Sequence, residues 1–347
     1  MIFRPDIVIF DHLESKNIAE FIVKPISDKF TFLNIKFFSK YFGENNFSRL
    51  LFLIYSVIYL FFFRPKCVIT FRDNGDIQHI HKIFRSINFF AIQNGNRTKR
   101  ELISKYGYGQ KRKLNLPNYF SFGLYEKETF KYFGHIIQEC IPVGSFRASI
   151  YQAKFNQMKS KKYDICFISM WRDVNFNSYD DNVLLKETEQ MKMVDDLILE
   201  FVERHKLKLA ICLRSGHKGL EYNYYKSLYG KSAKLVFRDE FSTYKTMDIS
   251  ELIISSHSTC SSEALGWKKK SIYVDFSKNN IFAYFDKSIV IRKPEFKSFD
   301  SKVKALLDMN QKTYQKKLKN YSSYVMNYDS KKPTFEKIQD ELKKYLS

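Results

Sequence analysis

The chain has 347 residues, room for one large or two medium domains, and its 44% hydrophobic content supports packed cores and excludes bulk disorder. A formal charge of +21 calls for an anionic partner. No RNP-like, helix-turn-helix or zinc-finger pattern accompanies that charge, which argues against nucleic acid and for charged small ligands and an anionic membrane surface.

In chain order, Ile7–Phe10 reads as an opening strand that ends in Asp11-His12, and Phe30 to Phe42 as a strand–helix pair. The first residues, MIFRPDIVIFDH, place an acid and a proline early and do not read as a secretory signal. Leu50–Phe63 (LLFLIYSVIYLFFF) carries no charge and is flanked by Arg49 and Arg64-Pro65-Lys66. A spanning helix needs about 20 apolar residues, so this run is too short to cross. A core helix and a helix dipped into the inner leaflet beside anionic headgroups both fit it, and a true span is the remaining alternative.

Cys67–Phe71 is a buried strand ending in Arg72-Asp73-Asn74-Gly75-Asp76. A helix follows, with apolar residues at Ile80, Ile83, Phe84 and Ile87. Phe89–Ile92 is the next strand, ending in Gln93-Asn94-Gly95-Asn96-Arg97. Strand, helix and strand make a βαβ unit, so residues 1–148 read as a parallel α/β domain with both polar clusters on one rim. His79 and His81 diverge by about 200° on a helix and read as structural or surface residues. Tyr119–Gly123 is a further strand and Glu126–Phe133 a helix, and residues 149–162 read as a linker.

The second domain, 163–297, opens with the strand Tyr163–Ser169, which leads to Met170-Trp171-Arg172-Asp173. Val194, Leu197, Ile198, Phe201 and Val202 keep helical spacing. Leu207–Leu213 and Leu235–Phe237 are strands ending in Arg214-Ser215-Gly216-His217-Lys218 and Arg238-Asp239. Residues 298–347 read as Lys-rich helices, the last with an apolar stripe of Phe335, Ile338, Leu342 and Tyr345.

The most informative stretch is ELIISSHSTCSSEALGWKKKSIYVD, Glu251 to Asp275. Leu252, Ile253 and Ile254 form a strand buried on both faces. Next come a turn dense in Ser and Thr, a short helix, and a second strand from Ser271 to Val274. Hydroxyls and free N–H groups at a helix start beyond a parallel strand suit phosphate oxygens. Helix capping for stability alone is the other reading of the same residues.

This turn resembles the donor-binding turn of GT-B glycosyltransferases that build bacterial surface polysaccharides. The resemblance implies α/β, two Rossmann-like domains with parallel sheets facing a central cleft, and a C-terminal helix crossing back to the first. It places donor phosphate on Ser258 and Thr259 and the nucleotide ribose on Glu263. Ser256, His257, Arg172, Arg214 and His217 stand beside them as donor-binding candidates. Q-N-G-x-R and the Asp-Asn pair look like the acceptor rim of the same enzymes, which nominates Asn74, Gln93, Asn94 and Arg97. "I-P-V-G-S-x-R" at 141–147 resembles the approach to their interdomain linker.

No G-x-G-x-x-G, P-loop or metal-ligand spacing occurs, so no cofactor and no metal are expected. Carboxylates serve an oxocarbenium-like transition state, and Asp173 and Asp73 are the catalytic candidates. Arg172 and Asp173 also fit a plain surface pair. The expected donor is a nucleotide-sugar. Q-N-G, a strand-end Arg-Asp and the S-S-x-S-T turn are similar to transferases using CMP-activated acidic sugars such as Kdo. The expected acceptor is a lipid-linked surface glycan at the cytoplasmic face of the membrane. An alditol-phosphate transferase, a UDP-sugar 2-epimerase and a non-catalytic glycan- or membrane-binding protein remain alternatives.

The five cysteines (Cys67, Cys140, Cys166, Cys212, Cys260) form no C-x-x-C pair, and three lie in apolar runs. Small buried hydrophobes in a reduced setting are expected.

Overall fold

A computed structural model describes residues 4–43, 46–73, 76–96, 114–155, 160–171, 181–214, 218–256, 258–276 and 287–346. The chain forms two α/β units, Met1–Lys154 with Tyr324–Ser347, and Phe155–Ser323.

The first unit starts with β1 (Ile7–Phe10), then α1 (Ser15–Ile18), which continues as a π-helical turn over Ala19–Val23. Next come β2 (Phe30–Leu33), α2 (Lys36–Phe42), α3 (Asn46–Phe63), β3 (Cys67–Thr70), α4 (Ile77–Ile83) and β4 (Asn88–Ile92). After these lie β5 (Asn115–Leu116), β6 (Asn118–Ser121), α5 (Leu124–Tyr132), β7 (Ile136–Ile137), β8 (Cys140–Pro142) and α6 (Phe146–Lys154). Six strands make a parallel sheet in the order β2-β1-β3-β4-β6-β8, and β5 pairs with β7.

The central strands β1, β3 and β6 are buried at every position, as a parallel sheet covered on both faces requires. Each fully buried aliphatic side chain there contributes about 1.5–3 kcal/mol. Of the two alternating histidines, His79 is exposed and His81 bonds Ile77 O at 2.8 Å and Asn115 Oδ1 at 3.0 Å. Residues 149–154, expected in a linker, lie inside α6. Phe146, Ile150 and Tyr151 recur at helical spacing and are buried, so this segment packs instead of bridging.

The second unit runs β9 (Tyr163–Ile168), α7 (Asp181–His205), β10 (Leu209–Cys212), α8 (Lys218–Tyr229), β11 (Ala233–Val236), α9 (Ser242–Asp248) and β12 (Ser250–Ser255). It continues with α10 (Thr259–Gly266), β13 (Lys270–Val274), β14 (Val290–Ile291), α11 (Phe296–Asp308) and α12 (Gln311–Val325). Its sheet is parallel in the order β11-β10-β9-β12-β13-β14. Cys67, Cys140, Cys166 and Cys212 are buried thiols.

The tail divides differently from the expected boundary at 298. Phe299, Val303 and Leu306 of α11 are buried, Phe299 lies 5.8 Å from the Phe201 ring, and the Tyr314 hydroxyl accepts the Ser271 N–H at 3.0 Å. These contacts keep α11 and most of α12 in the second unit.

From Tyr324 onward the chain packs on the first unit, ending in α13 (Thr334–Lys343). The apolar stripe read from the sequence carries this packing: Phe335 meets Phe21 at 5.5 Å and Tyr345 meets Phe90 at 5.4 Å. Asn327 N donates to Phe122 O at 2.7 Å, and the Asn327 side chain to Pro142 O at 2.6 Å. Gly144 permits this close approach: its φ is 99°, and a Cβ there would overlap the Asn327 carbonyl.

Gly144→Ala is therefore expected to cost about 3 kcal/mol, combining left-handed backbone strain with overpacking. Gly230, with φ of 53° and open space around it, is the control, and Gly230→Ala should cost only about 1 kcal/mol. Urea midpoints compare the two. Equal losses would show that the Asn327 contact adds nothing.

Candidate functional site

In an open parallel sheet, ligands bind beyond the carboxyl ends of the strands, where the strand order reverses. In the second unit that point lies between β9 and β12, since β10 and β11 extend from one side of β9 and β12 to β14 from the other. The hydroxyl-rich turn is the loop that leaves β12. Strand pairing thus sets it beside the end of β9, which leads to Arg172 and Asp173. Those two residues, with His217, His257, Asn74 and Arg97, lie outside the described residues.

The structure distributes the hydroxyls of the turn among distinct tasks. Ser255 and Ser261 bond to each other under the turn. Ser256 Oγ donates to Val274 O at 2.7 Å and ties the turn to the end of β13. Ser258, in extended backbone, caps α10 by accepting the Cys260 N–H at 3.3 Å. Ser258 and Thr259 are half-buried at the surface. Glu263 is buried one turn into α10, and its Oε1 accepts the Tyr244 hydroxyl of α9 at 3.1 Å. Tyr244 packs on Trp267 at 5.5 Å, so the carboxylate is held against a fixed ring. Stability accounts for Ser255, Ser256 and Ser261. The capping Ser258, Thr259 and the first N–H groups of α10 make up the end of the turn that suits an anion.

Neighbouring strand ends are equally ordered. At the end of β9, Ser169 Oγ donates to Glu221 Oε1 at 2.5 Å and accepts the Trp171 N–H at 3.1 Å. The same Glu221 oxygen accepts the Arg214 N–H at 2.9 Å, so one buried carboxylate fastens the ends of β9 and β10. Burial pushes the Glu221 carboxyl up. Arg214 itself is half-buried on that rim. Asp275, buried beyond β13, pairs with Arg292 at 3.1 Å.

The first sheet has its own reversal point, between β1 and β3. Asp11, just past β1, has a left-handed φ of 73° and is buried. A non-glycine residue held there costs of order 1–3 kcal/mol and points to a site. Its carboxylate accepts the His12 N–H at 2.5 Å and Arg72 Nη1 at 3.2 Å. His12 Nδ1 is buried 2.6 Å from Asp11 Oδ1, while the His12 side chain as a whole is 30% exposed. Nδ1 makes no hydrogen bond there, so the carboxylate holds the His12 backbone N–H and lies against one edge of the imidazole, whose remainder has solvent access. Glu14, also left-handed with φ of 55°, accepts Asn17 at 2.6 Å and pairs with Arg147 at 3.2 Å.

Sequence reading placed Asp11 and His12 at a strand end but did not single them out, because the order of strands is not written locally. A strand that ends in Asp-His was the available signal.

The residues nominated in the first unit fare differently. Asp73, at the end of β3, is buried and accepts the Tyr119 hydroxyl at 2.7 Å. Gln93 is buried too, and its amide serves the protein: Nε2 donates to Gly95 O and Glu126 Oε1, both at 2.9 Å, and Oε1 accepts the Phe122 N–H at 2.8 Å. It braces the β4 and β6 ends. Asn94 beside it is half-buried on the rim.

No protein-family model and no curated protein sequence matches the chain. Solved structures do resemble it. A Methanocaldococcus jannaschii UDP-GlcNAc 2-epimerase in complex with UDP-GlcNAc and UDP aligns with TM-score 0.60 at 14% identity, over 97% of this chain and 98% of that one. A Neisseria meningitidis UDP-GlcNAc 2-epimerase bound to UDP-GlcNAc gives 0.56 at 14%, over 98% of each chain. The wall teichoic acid polymerase TagF gives 0.51 at 14%, over 99% of this chain and 91% of that one. Likeness at this identity shows the fold, a pair of Rossmann-like α/β units of the GT-B class.

Proposed function

We propose that the chain is a glycosyltransferase that takes a sugar from a nucleotide donor and places it on a lipid-linked surface glycan. The observation that carries this reading is the position of the Ser258–Thr259 turn and the α10 N-terminus, beyond the carboxyl end of β12 at the reversal point of the second sheet. Amide N–H groups and hydroxyls there would hold donor phosphate, with Arg214 on the same rim, and no divalent cation is invoked. Glu263, positioned by Tyr244, would take the ribose hydroxyls. On the first unit, His12 would handle the proton of the acceptor hydroxyl, with the Asp11 carboxylate beside its ring.

A second reading is a nucleotide-sugar 2-epimerase, and the likeness to two 2-epimerases held with UDP-GlcNAc supports it. The two differ in what happens without an acceptor. An epimerase equilibrates its nucleotide-sugar alone, whereas a transferase leaves the sugar configuration untouched.

A thermal-shift panel of UDP, CMP, CDP and GDP tests the shared premise. One nucleotide at a hundredfold excess over its dissociation constant should stabilise the chain by about 2.7 kcal/mol. UDP selectivity would match the ligands of the two epimerase neighbours, and CMP selectivity an acidic-sugar donor. Thr259→Val with Ser258→Ala should abolish the shift. Absence of a response to all four would overturn the nucleotide assignment.

A further inference from the structure

Helix α3 is built the wrong way round for a partnerless protein. Its inward stripe is Ser48, Phe52, Ser56 and Leu60, and these residues are buried. Both serines are satisfied inside: Ser48 Oγ donates to Gly43 O at 2.5 Å and Ser56 Oγ to Phe52 O at 2.7 Å. Small side chains there let the helix lie close to the first sheet.

The opposite face carries Phe47, Leu50, Ile54, Ile58, Phe61 and Phe62, between 48% and 74% exposed. At about 100° per residue, these positions centre half a turn away from the buried stripe. Only 22% of the helix is buried, although its mean hydropathy is 1.7. An apolar face of this extent on a soluble surface marks an interaction site.

Charge decides the partner. Between residues 29 and 72 the acidic side chains are limited to Glu44, against Lys29, Lys36, Lys40, Arg49, Arg64, Lys66 and Arg72. Arg49 is paired with Asp76 and Arg72 with Asp11. Lys36 and Lys40 of α2 are exposed, as are Arg64 and Lys66 beyond the far end of α3. Arg4 adds a guanidinium at that end by donating to Phe63 O at 2.8 Å and Arg64 O at 3.2 Å. A second copy of the chain would bring the same lysines and arginines against these, with no acid on the face among the described residues to pair them. Anionic headgroups meet both the apolar face and its basic flanks. The inner stripe anchors α3 along the sheet, so the helix would lie in the interface plane instead of crossing it.

We propose that the outward face of α3, flanked by Lys36, Lys40, Arg64 and Lys66, docks the protein on an anionic lipid bilayer. This surface belongs to the first unit and does not depend on which nucleotide the second unit holds.

Co-flotation of the full chain with vesicles tests it, using phosphatidylcholine alone and phosphatidylcholine mixed with phosphatidylglycerol, without nucleotide. Binding should be strong to the mixed vesicles, weak to phosphatidylcholine alone, and reduced by salt. The triple variant Leu50→Ser, Ile54→Ser, Ile58→Ser changes exposed positions and should keep the circular dichroism spectrum and urea midpoint. Its partitioning should fall roughly tenfold or more. A Lys36→Glu, Lys40→Glu variant should lose the preference for phosphatidylglycerol. Unchanged partitioning of the triple variant would overturn the proposal. So would a concentration-dependent dimer that the triple variant abolishes, which would assign the face to a second copy.

Discussion

Replacing His12 by alanine should lower turnover by about 10²- to 10⁴-fold, the range in which a positioned general acid–base group contributes. Nucleotide-induced stabilisation should survive, because the phosphate and ribose groups invoked here sit on the second unit. The expectation rests on local geometry. The backbone of Asp11 is held left-handed at φ 73°, which turns its carboxylate back onto the next residue and onto Arg72. Such strain persists only where the surroundings over-determine it, and here β1, β3 and Arg72 do so. Asp11→Asn should preserve the fold while removing the negative charge that lies beside the imidazole, giving a smaller loss than His12→Ala. The measurement is sugar transfer, or interconversion, with whichever nucleotide-sugar the thermal-shift panel selects. Full turnover in His12→Ala would remove His12 from the chemistry and leave the nucleotide assignment standing.

Stability of the second unit should fall as pH rises from about 4 to about 8, and Asp195→Asn should remove most of that fall. Asp195 is fully buried on α7, where desolvation pushes its carboxyl up to about 8. Tyr224 and Tyr225 hydroxyls donate to it at 2.9 and 3.3 Å and hold it down, but burial outweighs them. In the unfolded chain the same group titrates near 4. Between those values the folded state binds a proton that the unfolded state has released, so each pH unit gained costs about 1.4 kcal/mol of stability. Below about pH 4 both states are protonated and the effect is complete, and above about pH 8 it levels off after a total near 5 kcal/mol.

Asparagine mimics the neutral acid and should be about as stable as wild type at low pH and more stable at high pH. Asp195→Ala should be worse at every pH, by about 2–4 kcal/mol, since it strands the buried Tyr225 hydroxyl and the half-buried Tyr224 hydroxyl. Urea midpoints measured across this range decide the matter. Parallel wild-type and Asp195→Asn profiles would place the charge of Asp195 elsewhere than in a dry interior.

Local pattern was enough to identify strands and the class of fold. Ile7–Phe10, Cys67–Thr70 and Leu252–Ile254 are short apolar runs without alternation, and such runs survive in water only when both faces are covered, whichever neighbours cover them. The serine-rich bend at 255–262 was visible for the same reason, since a helix start needs particular residue types within a few positions.

Which hydroxyl does what was not visible. Ser256 bonds the end of β13, Ser261 bonds Ser255, and Gln93 braces Phe122 and Glu126 through partners that are far away in the chain or set by the fold. The inverted face of α3 was hidden likewise, because a run apolar on all sides has no periodicity to show which side meets the sheet.

Residue chemistry therefore specified which segments become strands, helices and polar ends, because those preferences act over a few bonds. The pairing of β1 with β3 and of β9 with β12 depends on contacts between residues distant along the chain. Only that pairing gathered Asp11, His12 and Arg72 at one reversal point and set the bend after β12 at the other.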